Sequence, residues 1–501
     1  MVALTAEVPW AASTEALLAL QQRLAGPETA GMMQADVEEL IRTSIREVGR
    51  LLAQGHQDLL AQREQRLPEV ADSQGVRHGT AVRGETRNLA TLFGDVRVAR
   101  YAYRQRGCGN LFPADAQQNL PEEQFSHGLR RIAAVEASKG SFGEAVDAVR
   151  AFTAAPQVEL GKRQLEDLVR RAAADFDAFY AQPERPTLPA ETVLALSFDG
   201  KGVVMIPKAL RPGTAAAAAR AKQKLAARLS KGEKANRKRM AEVAAVFDVV
   251  PVPRTPEEIL ASTAEKRGHP APHASGKWVT ASVVADMGTV IAHGFAEAQR
   301  RDPQHRRTWL ALVDGNNEQI RHIRKQARAH NVKLIILVDF IHVLEYLWKA
   351  AWCFFKEGDQ AAEAWVRDKA LEVLRGKSAL VGAAVRRKAT AAHLAPRQRK
   401  PADTCADYLH RKRAYLDYPT ALRRGWPIAT GIIEGTCRHL VKDRMDITGA
   451  RWGLGSAEAV LQLRALRSNG DFDRYWRFHL DQEHHRVHAS RYLGEAIPRS
   501  D

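Results

Sequence analysis

Three acidic residues in this chain stand where metal-assisted chemistry would need them. Asp199 follows the apolar run 193–198 and precedes a glycine, in Phe198-Asp199-Gly200. Asp314 repeats the pattern after residues 308–313, in Val313-Asp314-Gly315. Glu434 lies in Gly431-Ile432-Ile433-Glu434-Gly435, where two apolar residues point that helix face at a core. A strand end gives a carboxylate a rigid backbone, and a following glycine lets another backbone come close. Two anions held near one another repel, and a divalent cation relieves the repulsion. An all-oxygen donor set selects Mg²⁺ or Mn²⁺. With Glu434 as third ligand, two ions can be held for in-line phosphoryl transfer, with no covalent enzyme intermediate and no nucleotide cofactor. Arg438 and Lys442 follow Glu434 at i+4 and i+8, where they can meet phosphates or pair with the acid. Taken singly, each signal is ordinary: Asp-Gly is a turn dipeptide, and a glutamate near a helix start is common.

The elements around these residues give the combination its meaning. Five apolar runs read as strands, at 193–198 (extended or followed by 203–206), 242–252, 278–284, 308–313 and 333–338. The last is unbroken, as in a strand buried on both faces. Helical patterns at 288–300 and 318–330 separate the later strands. Three strands that can form an antiparallel meander, then two that need crossovers, follow the order of the ribonuclease H-like fold. In that order the strands before Asp199 and Asp314 are neighbours. The expected architecture is an α/β ribonuclease H-like core with a mixed five-stranded sheet, residues 190–342, carrying a basic insert at 207–240. An all-α insertion follows at 343–428, and C-terminal helices at 429–501 complete the core. Ahead of it, residues 1–125 read as mainly α, with a long helix at 33–66 and a β-hairpin at 86–105 around Gly94-Asp95. Residues 126–185 are helical. The pair 141–153 and 161–180 fits either a helix-turn-helix with Lys162, Arg163, Arg170 and Arg171 on phosphates or two packed core helices. Residues 182–189 hold three prolines and read as a linker, and 251–276 as a loop.

Charge points to the partner. Among 501 residues, 75 Lys and Arg against 58 Asp and Glu leave a formal net charge of +17. Such a balance suits a polyanion, and nucleic acid leads because basic proteins gain affinity by neutralising phosphates. The stretch 215–240 reads as helix. It carries Lys222, Lys224, Arg228, Lys231, Lys234, Arg237, Lys238 and Arg239, with Glu233 the lone acid from 220 to 239. It is either a phosphate-tracking surface or a solvated face. Four cysteines without a Cys-x-x-Cys pair suit a reducing cytoplasm. No apolar run approaches membrane-spanning length, and residues 1–10 lack a signal-peptide pattern. Trp348, Trp352 and Trp365 read as core of the insertion. His484, His485 and His488 read as a solvated face. There is no internal repeat, Walker loop, dinucleotide fingerprint or nucleophile elbow.

Several long blocks resemble bacterial insertion-sequence transposases of the ISKra type. They are Leu196-Ser197-Phe198-Asp199-Gly200-Lys201-Gly202-Val203, Asp339-Phe340-Ile341-His342-Val343-Leu344-Glu345-Tyr346, Gly431-Ile432-Ile433-Glu434-Gly435-Thr436-Cys437-Arg438 through Arg444, and Thr448-Gly449-Ala450-Arg451-Trp452. The resemblance covers about 190–492. It implies a DDE enzyme that cuts and joins DNA using Mg²⁺ or Mn²⁺, with Asp199, Asp314 and Glu434 as catalytic and metal-holding residues. Asp339 and His342 fit the supporting Asp-x-x-His motif of the wider Mutator-like group. Asp339 also competes with Asp314 for the second metal position. The implied partners are double-stranded DNA, both transposon terminal inverted repeats and target, and further copies of the chain in a dimer or higher oligomer. No membrane partner is implied, and the location is the bacterial cytoplasm at the nucleoid. Arg451 and Trp452 join Arg438 and Lys442 as expected DNA contacts. Two other readings share the fold: an inactive DNA-binding descendant, and a nuclease that does not join strands. Chains of that group can carry a Cys-rich N-terminal knuckle for DNA binding. Here Arg106-Gly107-Cys108-Gly109-Asn110 keeps one cysteine, too few for a zinc site.

Overall fold

The structure is a computed structural model that describes residues 9–153, 160–182, 189–220, 237–261, 271–429, 431–447 and 449–499. The chain divides into two compact units, Met1–Ala181 with Gly470–Asp501, and Gln182–Asn469. The helix Phe472–Val487, expected with the 429–501 segment of the core, therefore belongs to the first unit.

In the first unit, short strands β1 (Val70–Ala71) and β2 (Arg77–His78) pair, and β3 (Thr80–Thr91) and β4 (Gly94–Arg104) form the expected antiparallel hairpin. The hairpin packs on the long helix Gln34–Arg63. Ser126 caps the helix His127–Lys139 by accepting from Leu129 N. That helix packs on both Phe142–Thr153 and Lys162–Ala172, and these pack on each other. The expected 161–180 helix is two pieces, the second being Phe176–Tyr180. Leu165, Leu168 and Val169 are buried and Lys162, Arg163, Arg170 and Arg171 exposed, which is how a packed amphipathic helix looks. His484 and His488, read as solvated, instead bond the carbonyls of Ala116 at 2.9 Å and Leu120 at 2.7 Å, and His488 is buried. Their i,i+4 spacing faces the unit's interior.

The second unit is built on one mixed sheet with strand order β7-β6-β5-β8-β9, from β5 (Val193–Val204), β6 (Lys238–Val249), β7 (Ala274–Ser282), β8 (Thr308–Val313) and β9 (Leu334–Val338). β5 pairs antiparallel with β6, which pairs antiparallel with β7. β5 pairs parallel with β8, and β8 parallel with β9. Val193 to Phe198 are all buried, so β5 is covered on both faces, as a central strand requires. β6 starts at Lys238, inside the stretch read as helix, because Lys238 and Arg239 pair with Val204 and Val203. The unbroken run in β9 misleads in another way. β9 is an edge strand whose Leu334, Ile335 and Ile336 are only half-buried. The region read as a loop at 251–276 holds a short helix, Pro256–Leu260, started by the reciprocal Thr255–Glu258 capping bonds. Helices Met287–Arg301 and Asn317–Ala329 connect β7 to β8 and β8 to β9. The insertion is all-helical as expected, with helices Phe340–Ala351, Gln360–Leu374, Ser378–Ala391, Pro396–Lys412 and Tyr418–Arg423. Its tryptophans are less enclosed than expected. Trp348 and Trp365 are half-buried, and Trp352 is exposed.

Candidate acidic site at one end of the sheet

Parallel pairing sets Ser197 opposite Leu312 and Val313 opposite Val338. Two residues past the first pair and one past the second, Asp199, Asp314 and Asp339 therefore stand level on three adjacent strands. Asp199 is not at a strand terminus, contrary to expectation. β5 runs on to Val204 against β6, and only its pairing with β8 stops at Ser197. Asp199 thus sits where β5 is still rigid on one side and open on the other. Adjacent strands lie about 4.8 Å apart, so Asp314 is one step from Asp199 and Asp339 two.

Each aspartate is locally fixed. Asp199 Oδ1 accepts from its neighbour Gly200 N at 2.7 Å, and Asp314 Oδ1 from Asn316 N at 2.7 Å. Asn316 then caps the following helix. Asp314 is exposed and Asp199 half-buried. Asp339 is 5% exposed and caps its helix by accepting from Ile341 N at 2.8 Å. His342 is half-buried one turn on, its Nδ1 3.8 Å from Glu345 Oε2.

Glu434 lies in the helix Gly431–Thr436, which packs on β5 and β6 and runs into a π-helical turn, Cys437–Lys442. Cys437, one turn after Glu434, donates its thiol to Asp199 Oδ2 at 3.2 Å. Burial pushes that thiol's pKa far up, and the charges of Asp199 and Glu434 add to the effect, so it remains a neutral donor. Glu434 itself is exposed. Among the described residues the only trio of metal-ligating side chains with donor atoms all within 4.8 Å of one another is Asp72, His78 and Cys108, in the first unit. Asp199, Asp314 and Glu434 are not drawn that close together.

Neighbours that the sequence reading missed complete the setting. Glu242 lies over Gly200, where a Cβ would come within 3.3 Å of its Oε2. Burial raises the Glu242 pKa, and Asp199, Asp286 and Glu318 raise it further against the pull of Arg211. From the insertion, Tyr408 donates its hydroxyl to the Asp314 carbonyl at 2.8 Å and stacks on Tyr346, ring centroids 3.9 Å apart. Lys412, one turn further, bonds Asn317 Oδ1. Gly315 has φ +94°, and a Cβ there would lie 3.0 Å from the Tyr408 hydroxyl. The room beside this glycine serves Tyr408 rather than a substrate backbone. Glu242 alternates like any strand residue, and Tyr408 and Lys412 share only an i,i+4 spacing, so no local pattern marks them.

The expected phosphate contacts divide. Lys222, Lys224, Arg228, Lys231 and Lys234 lie outside the described residues. Arg237 and Lys238 are half-buried. Arg239 spends its guanidinium on the carbonyls of Val283, of Ala209 at 3.3 Å and of Val284 at 3.4 Å. It is structural because its strand brings it against those loops. Arg438, Lys442 and Arg451 are exposed, Arg438 lying 3.9 Å from Asp443. Trp452, expected to touch DNA, is 4% exposed. Its Nε1 donates to Met445 O at 3.0 Å, and the Arg444 guanidinium lies 4.6 Å from the ring. Its backbone bridges to Met205 beside the end of β5, with Trp452 N donating to Val204 O and Trp452 O accepting from Ile206 N. The indole is a packing residue. No protein-family model matches the chain, and no curated protein matches it.

Proposed function

We propose that this chain is a DNA transposase with a ribonuclease H-like catalytic core, in which Asp199, Asp314 and Glu434 hold Mg²⁺ or Mn²⁺. One observation carries the reading. The 3-2-1-4-5 strand order, antiparallel then parallel, sets Asp199 and Asp314 level on neighbouring strands. The same register favours Asp314 over Asp339 as the second ligand. Asp339 is one strand further away and is buried, whereas Asp314 is exposed.

The donors suit a hard divalent ion. All are carboxylates, and each aspartate has one oxygen turned to a backbone N–H, which fixes where the other points. Ions bound there supply the aim of the attacking oxygen and the stabilisation of the departing one. The chain's residues do the rest. Tyr408 and Lys412 steady the Asp314 turn, and the Cys437 thiol holds the Asp199 oxygen that would face an ion. Glu434 rides a helix with a π-turn, a feature often found where a side chain must adjust. The proposed triad requires Glu434 to approach the two aspartates, which the structure does not hold together. Arg438, Lys442 and Arg451 offer cations to the DNA backbone.

The test is metal-dependent cleavage of DNA carrying the inverted repeats that flank the gene. Asp199→Ala and Glu434→Ala are expected to abolish cleavage and leave end binding intact. Retained cleavage by both variants refutes the assignment. A chain that binds ends but never cuts them is the inactive descendant, and one that cuts without joining in a strand-transfer assay is the plain nuclease.

A further inference from the structure

We propose that Asp72, His78 and Cys108 form a zinc site that staples the small β1–β2 hairpin to the loop after β4. The three side chains bring one carboxylate oxygen, one imidazole nitrogen and one sulfur to within 4.8 Å of one another. This is a donor set that zinc accepts. The proposal rests on the first unit alone and is independent of the transposase reading.

Each donor is aimed by something else. Asp72 Oδ1 accepts from Gln74 N and Val76 N, both at 2.9 Å, which closes the turn between β1 and β2 and leaves Oδ2 facing His78. The His78 side chain is 1% exposed. Its Nδ1 lies 3.3 Å from the Tyr103 carbonyl, a partner that takes an N–H, so in the neutral ring the lone pair is on Nε2. A second partner of this kind is what fixes the tautomer of a metal-bound histidine. Cys108 closes a tight turn, its N donating to Gln105 O at 3.1 Å, with Gly107 at φ +83° as a type II turn requires. Tyr103 and Leu111 exchange backbone hydrogen bonds across the base of that loop, so the thiol is carried on a closed ring of backbone.

The spacing of His78 and Asp72 accommodates an ion between them. A tetrahedral zinc ion with bonds of about 2.0–2.2 Å to nitrogen and oxygen sets those donors about 3.3 Å apart. His78 Nε2 and Asp72 Oδ2 are 3.3 Å apart. Beside the site, Val70, Tyr103, Leu111 and Tyr492 form a buried apolar cluster. The need for a staple is plain, since β1 and β2 are two residues each and so short a hairpin is marginal unaided. Binding replaces the thiol proton of Cys108, which passes to solvent, and leaves one position of the tetrahedron for water.

The experiment is a titration of tag-free, full-length, metal-stripped protein with Co²⁺ and then Zn²⁺. One equivalent of Co²⁺ should produce a thiolate-to-metal absorption band, and one equivalent of Zn²⁺ should abolish it. Cys108→Ser, at a half-buried position whose loss the fold should tolerate, should remove the band and weaken Zn²⁺ binding about tenfold or more. Cys437→Ser, beside the acidic site, should leave the band unchanged. No thiolate band in the parent protein, or a band lost with Cys437 and kept without Cys108, overturns the proposal. So does unchanged Zn²⁺ affinity in Cys108→Ser.

Discussion

Replacing Arg130 with methionine should loosen the first unit by about 3–5 kcal/mol, the cost of removing one partner from a buried ion pair. The Arg130 side chain is wholly buried. Its Nη1 lies 2.6 Å from Glu483 Oε1, its Nε 3.2 Å from Glu123 Oε1, and its Nη2 3.3 Å from His479 Nε2. Glu123 keeps Arg171 as a partner at 2.6 Å, so most of the loss falls on Glu483, and the lower end of that range is expected. Methionine fills similar volume, which separates charge loss from cavity formation. The pH dependence gives a second readout. Burial opposes ionisation of Glu483, but His479 and Arg130 outweigh it and hold its pKa well below the usual carboxylate range. Stability from such a group is present above its unfolded pKa and is lost as pH falls through its folded one. Burial likewise opposes protonation of His479, but Asp175 and Glu483 outweigh it and raise its pKa, while Arg130 lowers it. Stability from His479 is complete below about 6.5 and lost as pH rises through its folded value. Without Arg130 the cluster leans on protonated His479, so the deficit should be larger at pH 8 than at pH 5. Hydrogen exchange read on peptides from Phe472–Val487 isolates this unit. Protection there should fall by about two to three orders of magnitude, and Glu483→Gln in the same background should restore part of it. A loss under about 1 kcal/mol, or a deficit that does not change with pH, refutes the reasoning.

Other consequences are open to direct measurement. Gly315→Ala should cost about 1–2 kcal/mol for its left-handed backbone, plus the contact with Tyr408, lowering the calorimetric transition of the second unit by several degrees. Glu242→Gln should raise the melting temperature near pH 8, with the gain fading as pH falls toward 4. Burial and like charges raise the Glu242 pKa, so the native state loses stability as pH climbs through it. Trp452→Ala should cost about 3–5 kcal/mol and deplete folded protein, whereas Arg451→Ala, at an exposed position, should leave thermal stability unchanged and weaken DNA binding alone.

Much of the architecture was legible because its signals are local. The runs before Asp199 and Asp314 alternate with helical periods, and the resulting five-stranded mixed sheet is present with the expected partners. The hairpin itself was legible, but its turn is Leu92-Phe93, and Gly94 and Asp95, expected to break the strands, pair with Thr91 and Ala90 at the start of β4. The misreadings arise where pairing overrides composition. Lys238 and Arg239 end a basic run yet are recruited by β5 as a strand. β9 is as apolar as a central strand but lies at an edge. Trp452 stands among glycines beside an arginine, which suggests exposure, while its backbone bridge to Met205 draws the ring inward. At the acidic site the level placement of Asp199 and Asp314 was legible. The thiol of Cys437 on Asp199 and the hold of Tyr408 on Asp314 were not, because each joins residues remote in sequence. Cys108 seemed too isolated for a metal for the same reason. Its companions Asp72 and His78 lie some thirty residues earlier, on a hairpin whose strands are too short to announce themselves.

The most direct measurement is Mg²⁺- or Mn²⁺-dependent nicking of DNA bearing the flanking inverted repeats, by the parent chain and by Asp199→Asn, Asp314→Asn, Asp339→Asn and Glu434→Gln. Nicking that requires the metal and disappears in the Asp199, Asp314 and Glu434 variants, while Asp339→Asn retains a measurable rate, is the predicted result. Full activity in the Asp199 or Glu434 variant, or a parent chain that binds the repeats and never cuts them under any metal, contradicts it.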